Sequence, residues 1–250
     1  TLFNTGIMAM QGASVFRNKY DEGIDYQTRA LKMYKKLDNN YGLGFSLNWF
    51  GNTFTKIGMY DRALLSYEQS LDIHEKINTK RGIGFSLGNL GRLFSKKGEY
   101  NKALQYLNRS IKIFEKLGED KGSQASFLRC IGNIHYKKNK FDKAIYYFEK
   151  TQPMARQTYK HDAIHNKIYL YLTYKQLGKE YDEKEIQTLI KKIVNPYFEF
   201  EINFRIYQLL EDYSYLETAN SQIEEIINNL EPDVAAKFLS YPIPKVIVEE

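Results

Sequence analysis

Cysteine is nearly absent: the 250-residue chain has one, Cys130. A lone thiol closes no internal disulfide, and this usage fits a reducing, cytoplasmic setting. Long apolar runs are missing too. With no stretch of 18 or more apolar residues, no membrane-spanning helix is expected. The chain has no secretory leader and no initiator Met, so Thr1 reads as the cut edge of a longer parent protein. There is no Gly-rich phosphate loop, no G-x-S-x-G and no cysteine cluster. The expectation is therefore a non-enzymatic chain with no cofactor, no metal and no catalytic residue. A hydrophobic share of 43% excludes wholesale disorder.

Acidic charge is scarce over most of the chain and concentrated at its end. Residues 195–250 carry three basic residues (Arg205, Lys237, Lys245) against eleven acidic ones, a net −8. The whole chain is +6, so the preceding 194 residues carry +14. Blocks of opposite sign point to self-association through the acidic segment or to two partner surfaces. The plainer alternative is that each face is simply solvated.

What the chain has in abundance is self-similarity. Phe45-Ser46-Leu47 returns as Phe85-Ser86-Leu87, and Gly51 as Gly91. Gly58-Met59-Tyr60 returns as Gly98-Glu99-Tyr100, Arg62-Ala63-Leu64 as Lys102-Ala103-Leu104, and Gly82 as Gly122. Each offset is 40 residues. Gly132 and Phe141-Asp142-Lys143-Ala144 continue the series one residue out of step, and Tyr20-Asp21-Glu22 precedes it. A looser fifth copy runs through Leu170-Tyr171, Tyr174, Gly178 and Tyr181-Asp182. The outer copies depart from the pattern, with Gln11 and Tyr171 where Gly51 would stand. A fixed period of this length marks a solenoid, in which each hairpin buries its apolar face against the next.

Each copy reads as two helices. Leu47, Phe50 and Phe54 fall on one face of the first. Gly58 ends that helix in a left-handed turn. Asp61, Asn101 and Asp142 are expected to cap the second helices. Ala63 marks the crossing of the pair, and Tyr67, Leu71, Tyr106 and Ile111 turn inward. The polar stretches 38–42, 78–82 and 118–122 read as loops that account for the length of the period. After Asn195-Pro196 the register changes. The remainder reads as helices over 197–212 and 214–230, then a short one from Pro232 to about Ser240. Tyr241-Pro242-Ile243-Pro244 should stop that helix, with 245–250 opening another element.

The Leu/Phe-Gly pairs (Phe50-Gly51, Leu90-Gly91, Ile131-Gly132) carry a resemblance to the tetratricopeptide repeat. The aromatic at Phe54 and Phe94 (His135 and Tyr136 in the next copy), the Gly-x-Tyr turn and the small Ala carry it further. The chain resembles the 40-residue class of that family over roughly residues 3–193. The resemblance implies an all-α, right-handed α-solenoid of stacked antiparallel helix pairs. It would comprise an array of about five repeats over 1–194, then a degenerate sixth helix pair and a capping helix over 195–250.

It also implies that the first helix of each pair lines a concave groove where a peptide lies. Carried onto this sequence, that peptide-binding set is Asn48, Asn52 and Lys56, then Asn89, Arg92 and Lys96, then Arg129, Asn133 and Lys137. Thr55, Gly88, Ser95 and Tyr136 lie beside them. The set has no Asp or Glu. Its amides can pair with a peptide backbone, and its cations suit carboxylates. The expected partner is a protein or peptide segment, acidic or extended. The family's chaperone-tail clamp is not reproduced: Asn48, Ser126 and Cys130 stand where it needs cations. Two alternatives to a scaffold stay open. One is a peptide-sensing module of a larger signalling or transcription-regulating protein. The other is nucleic-acid binding, which the spread of basic residues over both helices of each repeat disfavours.

Two candidate catalytic signals are weak. His161-Asp162-Ala163-Ile164-His165 echoes a zinc motif with Asp in place of Glu, and it reads as a polar helix start. Cys130 and His135, five apart, fall about 140° apart around a helix with no orienting group.

Overall fold

The computed structural model describes residues 17–118, 120–155, 160–191 and 200–250. Among them are thirteen helices and no strand. Helix α1 spans Arg17–Lys36. Four hairpins follow. The second repeat is α2 (Asn40–Lys56) with α3 (Tyr60–Lys76), and the third is α4 (Lys80–Lys96) with α5 (Tyr100–Leu117). The fourth is α6 (Lys121–Lys137) with α7 (Phe141–Ala155), and the fifth is α8 (Lys160–Gln176) with α9 (Glu183–Lys191). The C-terminal unit is α10 (Phe200–Leu210), α11 (Tyr213–Ile227), α12 (Pro232–Leu239) and α13 (Pro242–Glu249). No described helix is long and apolar enough to cross a membrane. Gln11, the 192–199 break and the side chains of His161 and Asp162 lie outside the described residues.

The architecture is an all-α solenoid. Within the second, third and fourth hairpins the two helices meet at a glycine. A Cβ on Gly51 would lie 2.5 Å from the Tyr67 ring, one on Gly91 2.6 Å from Leu107, and one on Gly132 2.6 Å from Phe148. These three crossings are equivalent, and Ala63, Ala103 and Ala144 beside them are fully buried. The crossing is therefore paid for in side-chain volume, and any residue larger than glycine forces the helices apart.

The turn after each first helix repeats as well. Met59 N–H donates to the Phe54 carbonyl at 2.8 Å and Glu99 N–H to the Phe94 carbonyl at 2.9 Å. The intervening Gly58 and Gly98 have φ of +79° and +84°, the left-handed region where glycine escapes the Cβ penalty.

Three local expectations are corrected. Residues 40–42, 80–82 and 121–122 lie in the first turns of α2, α4 and α6, so the connections are short. In the second and third repeats the period is made of long helices, not loops. Gly42 and Gly82 sit in helix because Tyr34 and His74 press on them; a Cβ would meet those rings at 2.5 and 2.2 Å. Asp61, Asn101 and Asp142 are not caps. Met59 and Glu99 hold the N-cap positions of α3 and α5 without side-chain bonds. Side-chain caps sit elsewhere: on first helices Asn39 accepts from Gly42 N–H and Asp120 from Ser123 N–H, and at the start of α9 Asp182 accepts from Glu185 N–H. Finally, Pro242 does not only end α12. It opens α13 at a position where its missing N–H costs nothing.

Neighbouring first helices touch: α2 with α4, α4 with α6, α6 with α8. The second helices are not in comparable mutual contact. A stack that approaches along one row and spreads along the other curves with the first helices inside. Helix α10 packs on α8 and continues this inner row. One buried cluster runs from Phe54, Tyr60 and Tyr67 through Leu90 and Phe114 to Phe204, Phe238 and Ile247, joining the repeats to the C-terminal unit.

Candidate ligand-binding face

The inner row presents the nine polar residues assigned to the groove, and they separate into three sets. The amides of the second and third repeats are built into the wall. Asn48 is buried and donates to Ser86 Oγ at 3.0 Å, while Asn89 donates to Asn48 Oδ1 at 3.2 Å. Ser70 extends this network to Ser86 Oγ at 2.9 Å and to the Gly44 carbonyl at 2.7 Å. Asn52 Oδ1 accepts from the Tyr67 hydroxyl at 2.7 Å. These bonds satisfy groups that burial would otherwise penalise, and they fix adjacent hairpins in register. Lys56, at the end of α2, is exposed.

A second set surrounds Cys130. Burial pushes its thiol up, and the charges of Arg92, Lys137 and Arg129 act against that rise. Arg92 is exposed, and Arg129 and Asn133 are half-buried. Arg92 makes no ion pair with a described residue. Asn133 Oδ1 is buried and has no hydrogen-bond partner among the described residues. Arg129 and Asn133 stand one turn apart on α6, as Arg92 and Lys96 do on α4. The set thus holds the Arg92 guanidinium near Cys130 and an unsatisfied amide acceptor on α6, while Arg129 has an interaction of its own.

The third set is already engaged. Lys137 Nζ lies 3.1 Å and Lys96 Nζ 3.5 Å from the carboxylate of Glu201, which opens α10. The Tyr169 hydroxyl donates to the same carboxylate at 2.9 Å. Burial alone would raise the Glu201 carboxyl. The charges of Lys137, Lys96 and Arg205 outweigh it and hold the group well below the usual carboxylate range. Burial and the same carboxylate push the Tyr169 hydroxyl up. Arg205, also on α10, is 6% exposed and lies 5.7 Å from the Tyr169 ring centre and 5.8 Å from that of Tyr136.

This carboxylate is no loose plug. Phe200, Ile202, Phe204, Ile206 and Leu209 are all buried on α10. At roughly 1.5–3 kcal/mol per buried side chain, freeing that helix would cost far more than one ion pair returns.

Glu201 and Arg205 were not singled out as site residues because they lie beyond the repeats, and Tyr169 was not because the fifth copy is too loose to fix its register. The only trace was the opposed charge of the two chain segments. The catalytic echoes fall apart. His135 stacks on Tyr147 at 5.4 Å, whereas Cys130 borders Arg92 and Ser95. Of the zinc-like motif only half-buried His165 has a described side chain among its polar members. No three His, Cys, Asp or Glu side chains converge among the described residues.

Stacked helical hairpins with an inner polar row define the molecule as an α-solenoid of the repeat-protein class. Family models described as tetratricopeptide repeat match residues 82–157 and 51–80. Over these two stretches the chain carries tetratricopeptide repeats.

Solved structures share this fold at low identity. A Rap protein complexed with Competence and Sporulation Factor superposes with a TM-score of 0.69 at 16% identity, covering 99% of this chain and 74% of that one. Aspartyl phosphate phosphatase F from Bacillus subtilis gives 0.60 at 18% identity, covering 100% of this chain and 61% of that one. The apo form of RapI gives 0.56 at 19%, covering 92% and 77%. No curated protein sequence matches the chain significantly.

Proposed function

We propose that this chain is a non-enzymatic interaction scaffold that binds an extended protein segment along its inner face. The observation that carries the reading is the set around Cys130, with exposed Arg92 on α4 and, on α6, an Asn133 Oδ1 that has no partner among the described residues. Guanidinium groups take carboxylates, and a buried amide acceptor takes a backbone N–H. Because Glu201 neutralises part of the charge on Lys96 and Lys137, the cations left for a ligand are few. The segment therefore needs one or two carboxylates at the right spacing, not a long acidic run.

Fluorescence anisotropy with labelled peptides of graded acidity tests this. Arg92→Glu with Arg129→Glu should weaken binding by about tenfold or more, ~1.4 kcal/mol, while helix content and melting stay unchanged. Unchanged affinity in the double variant refutes it.

A second reading is a peptide-sensing module of a larger regulator. It is favoured by the similarity to a Rap protein that was solved with Competence and Sporulation Factor. A short free peptide that binds and changes the array's dimensions in solution scattering supports that reading; binding without such a change supports the plain scaffold.

A further inference from the structure

In a stack of hairpins each unit touches only its neighbours, so the ends open independently and stability is close to a sum of local terms. The C-terminal unit breaks that rule by touching four successive hairpins. On the fifth, Lys175 Nζ donates to the Gln208 carbonyl at 3.0 Å and the Leu209 carbonyl at 3.3 Å, and it pairs with Glu211 at 2.8 Å. On the fourth and third, Lys137 and Lys96 share Glu201. Pro242 also abuts the third, with Cγ 2.9 Å from where a Cβ on Gly98 would stand.

On the second hairpin, Lys237 meets Asp61 at 2.6 Å across 176 positions of sequence. Phe238 packs edge-on to Tyr60 at 5.8 Å, Tyr241 lies 4.7 Å from the same ring, and Phe238 and Ile226 crowd Gly58. Phe238 is 1% and Tyr60 3% exposed, so this contact is dry.

We propose that residues 200–250 form a strut that holds the second to fifth hairpins at one curvature and couples them into a single cooperative body. The two ends of the strut differ. Helix α10 is seated by five buried apolar side chains, whereas α12 and α13 reach the second hairpin mainly through Phe238, Tyr241 and Lys237. The strut therefore lets go first at the second hairpin, and the array's curvature is released there. Sequence-distant contacts of this kind turn a chain of local openings into one all-or-none transition.

The sole tryptophan, Trp49, lies on α2 and reports the second hairpin alone, while far-UV circular dichroism reports every helix. In the wild-type chain the urea transitions by Trp49 fluorescence and by dichroism should coincide. In Phe238→Ala the fluorescence transition should move to lower urea than the dichroism transition, with a smaller slope. Coincident curves in Phe238→Ala, or separated curves in the wild type, overturn the proposal. If Phe238→Ala does not fold, native-state hydrogen exchange on the full wild-type chain decides it. A shared opening free energy for α2–α3 and α12–α13 supports the strut; a lower, separate value for α2–α3 overturns it.

Discussion

His74 makes the second repeat acid-sensitive in a way the third is not. The imidazole is fully buried between Gly44 and Gly82, so close that a Cβ on either glycine would lie within 2.6 Å of it. The rings of Phe45 and Tyr41 close around it at 4.7 and 6.2 Å, and neither ring nitrogen has a hydrogen-bond partner. Burial lowers its pKa from 6.5 to about 4. Above pH 6.5 both folded and unfolded chains hold it neutral, and nothing is lost. As the pH falls below 6.5 the unfolded chain takes up a proton that the folded one refuses, so stability drops until about pH 4 and then levels off. At 1.36 kcal/mol per unit, the loss by about pH 4.5 is about 2.5 kcal/mol. Forty residues on, Phe114 fills the equivalent slot against Gly84 and Phe85, with no group to titrate. His74→Phe should therefore keep neutral-pH stability within about 1.5 kcal/mol, since ring replaces ring, and remove that acid-dependent loss. Urea unfolding of both proteins at neutral pH and near pH 4.5 measures the difference between the two pH dependences, in which all other titrating groups cancel. An equal drop in both proteins refutes the reasoning, because His74 would then be reaching solvent or a partner.

Glu201→Gln should lower stability by about 3–5 kcal/mol, the usual cost of leaving a buried cation such as Lys137 unpaired, read as a shift in the thermal midpoint. A loss below about 1 kcal/mol, as for an exposed pair, would show that water already serves Lys96 and Lys137. Gly88→Ala would place a methyl 2.2 Å from the buried Phe127 ring. Overpacking of about 1–3 kcal/mol should outweigh the roughly 1 kcal/mol gain in helix propensity, so the melt falls; a rise would mean that Phe127 has room to turn.

The repeat pattern was legible because its key positions answer to steric limits that leave no choice of residue. Gly51, Gly91 and Gly132 recur because Tyr67, Leu107 and Phe148 occupy the space a Cβ would need. Gly58 and Gly98 recur because their backbone is left-handed. The same logic misled where glycine serves packing inside a helix. Gly42 and Gly82 look like loop residues, yet each is helical and faces a ring from the preceding second helix. Asp61 looked like a cap, but its work is with Lys237, far down the chain. The sequence put all nine residues of the proposed groove set on first helices, α2, α4 and α6. It did not reveal which were spent on neighbours, because Asn48 binding Ser86 and Lys137 binding Glu201 depend on distances that no spacing encodes.

The C-terminal unit was the least legible because periodicity carries no information about contacts that occur once. Its helices look like a continuation of the array, and only the clash of charge between −8 and +14 hinted that the two parts meet. That charge is mostly not cashed in as ion pairs. Of the acidic residues in the unit, Glu201 is buried among cations, whereas Glu211 remains mostly solvated at 78% side-chain exposure. Screened, exposed pairs contribute little. The joining free energy comes instead from the apolar contacts of Phe200, Phe204, Phe238 and Ile247, each inside the cluster that begins at Phe54. Charge selects the side on which the unit lies, and apolar burial holds it there. Raising the salt concentration should therefore leave the closed arrangement intact, while removing a single ring at Phe238 should not.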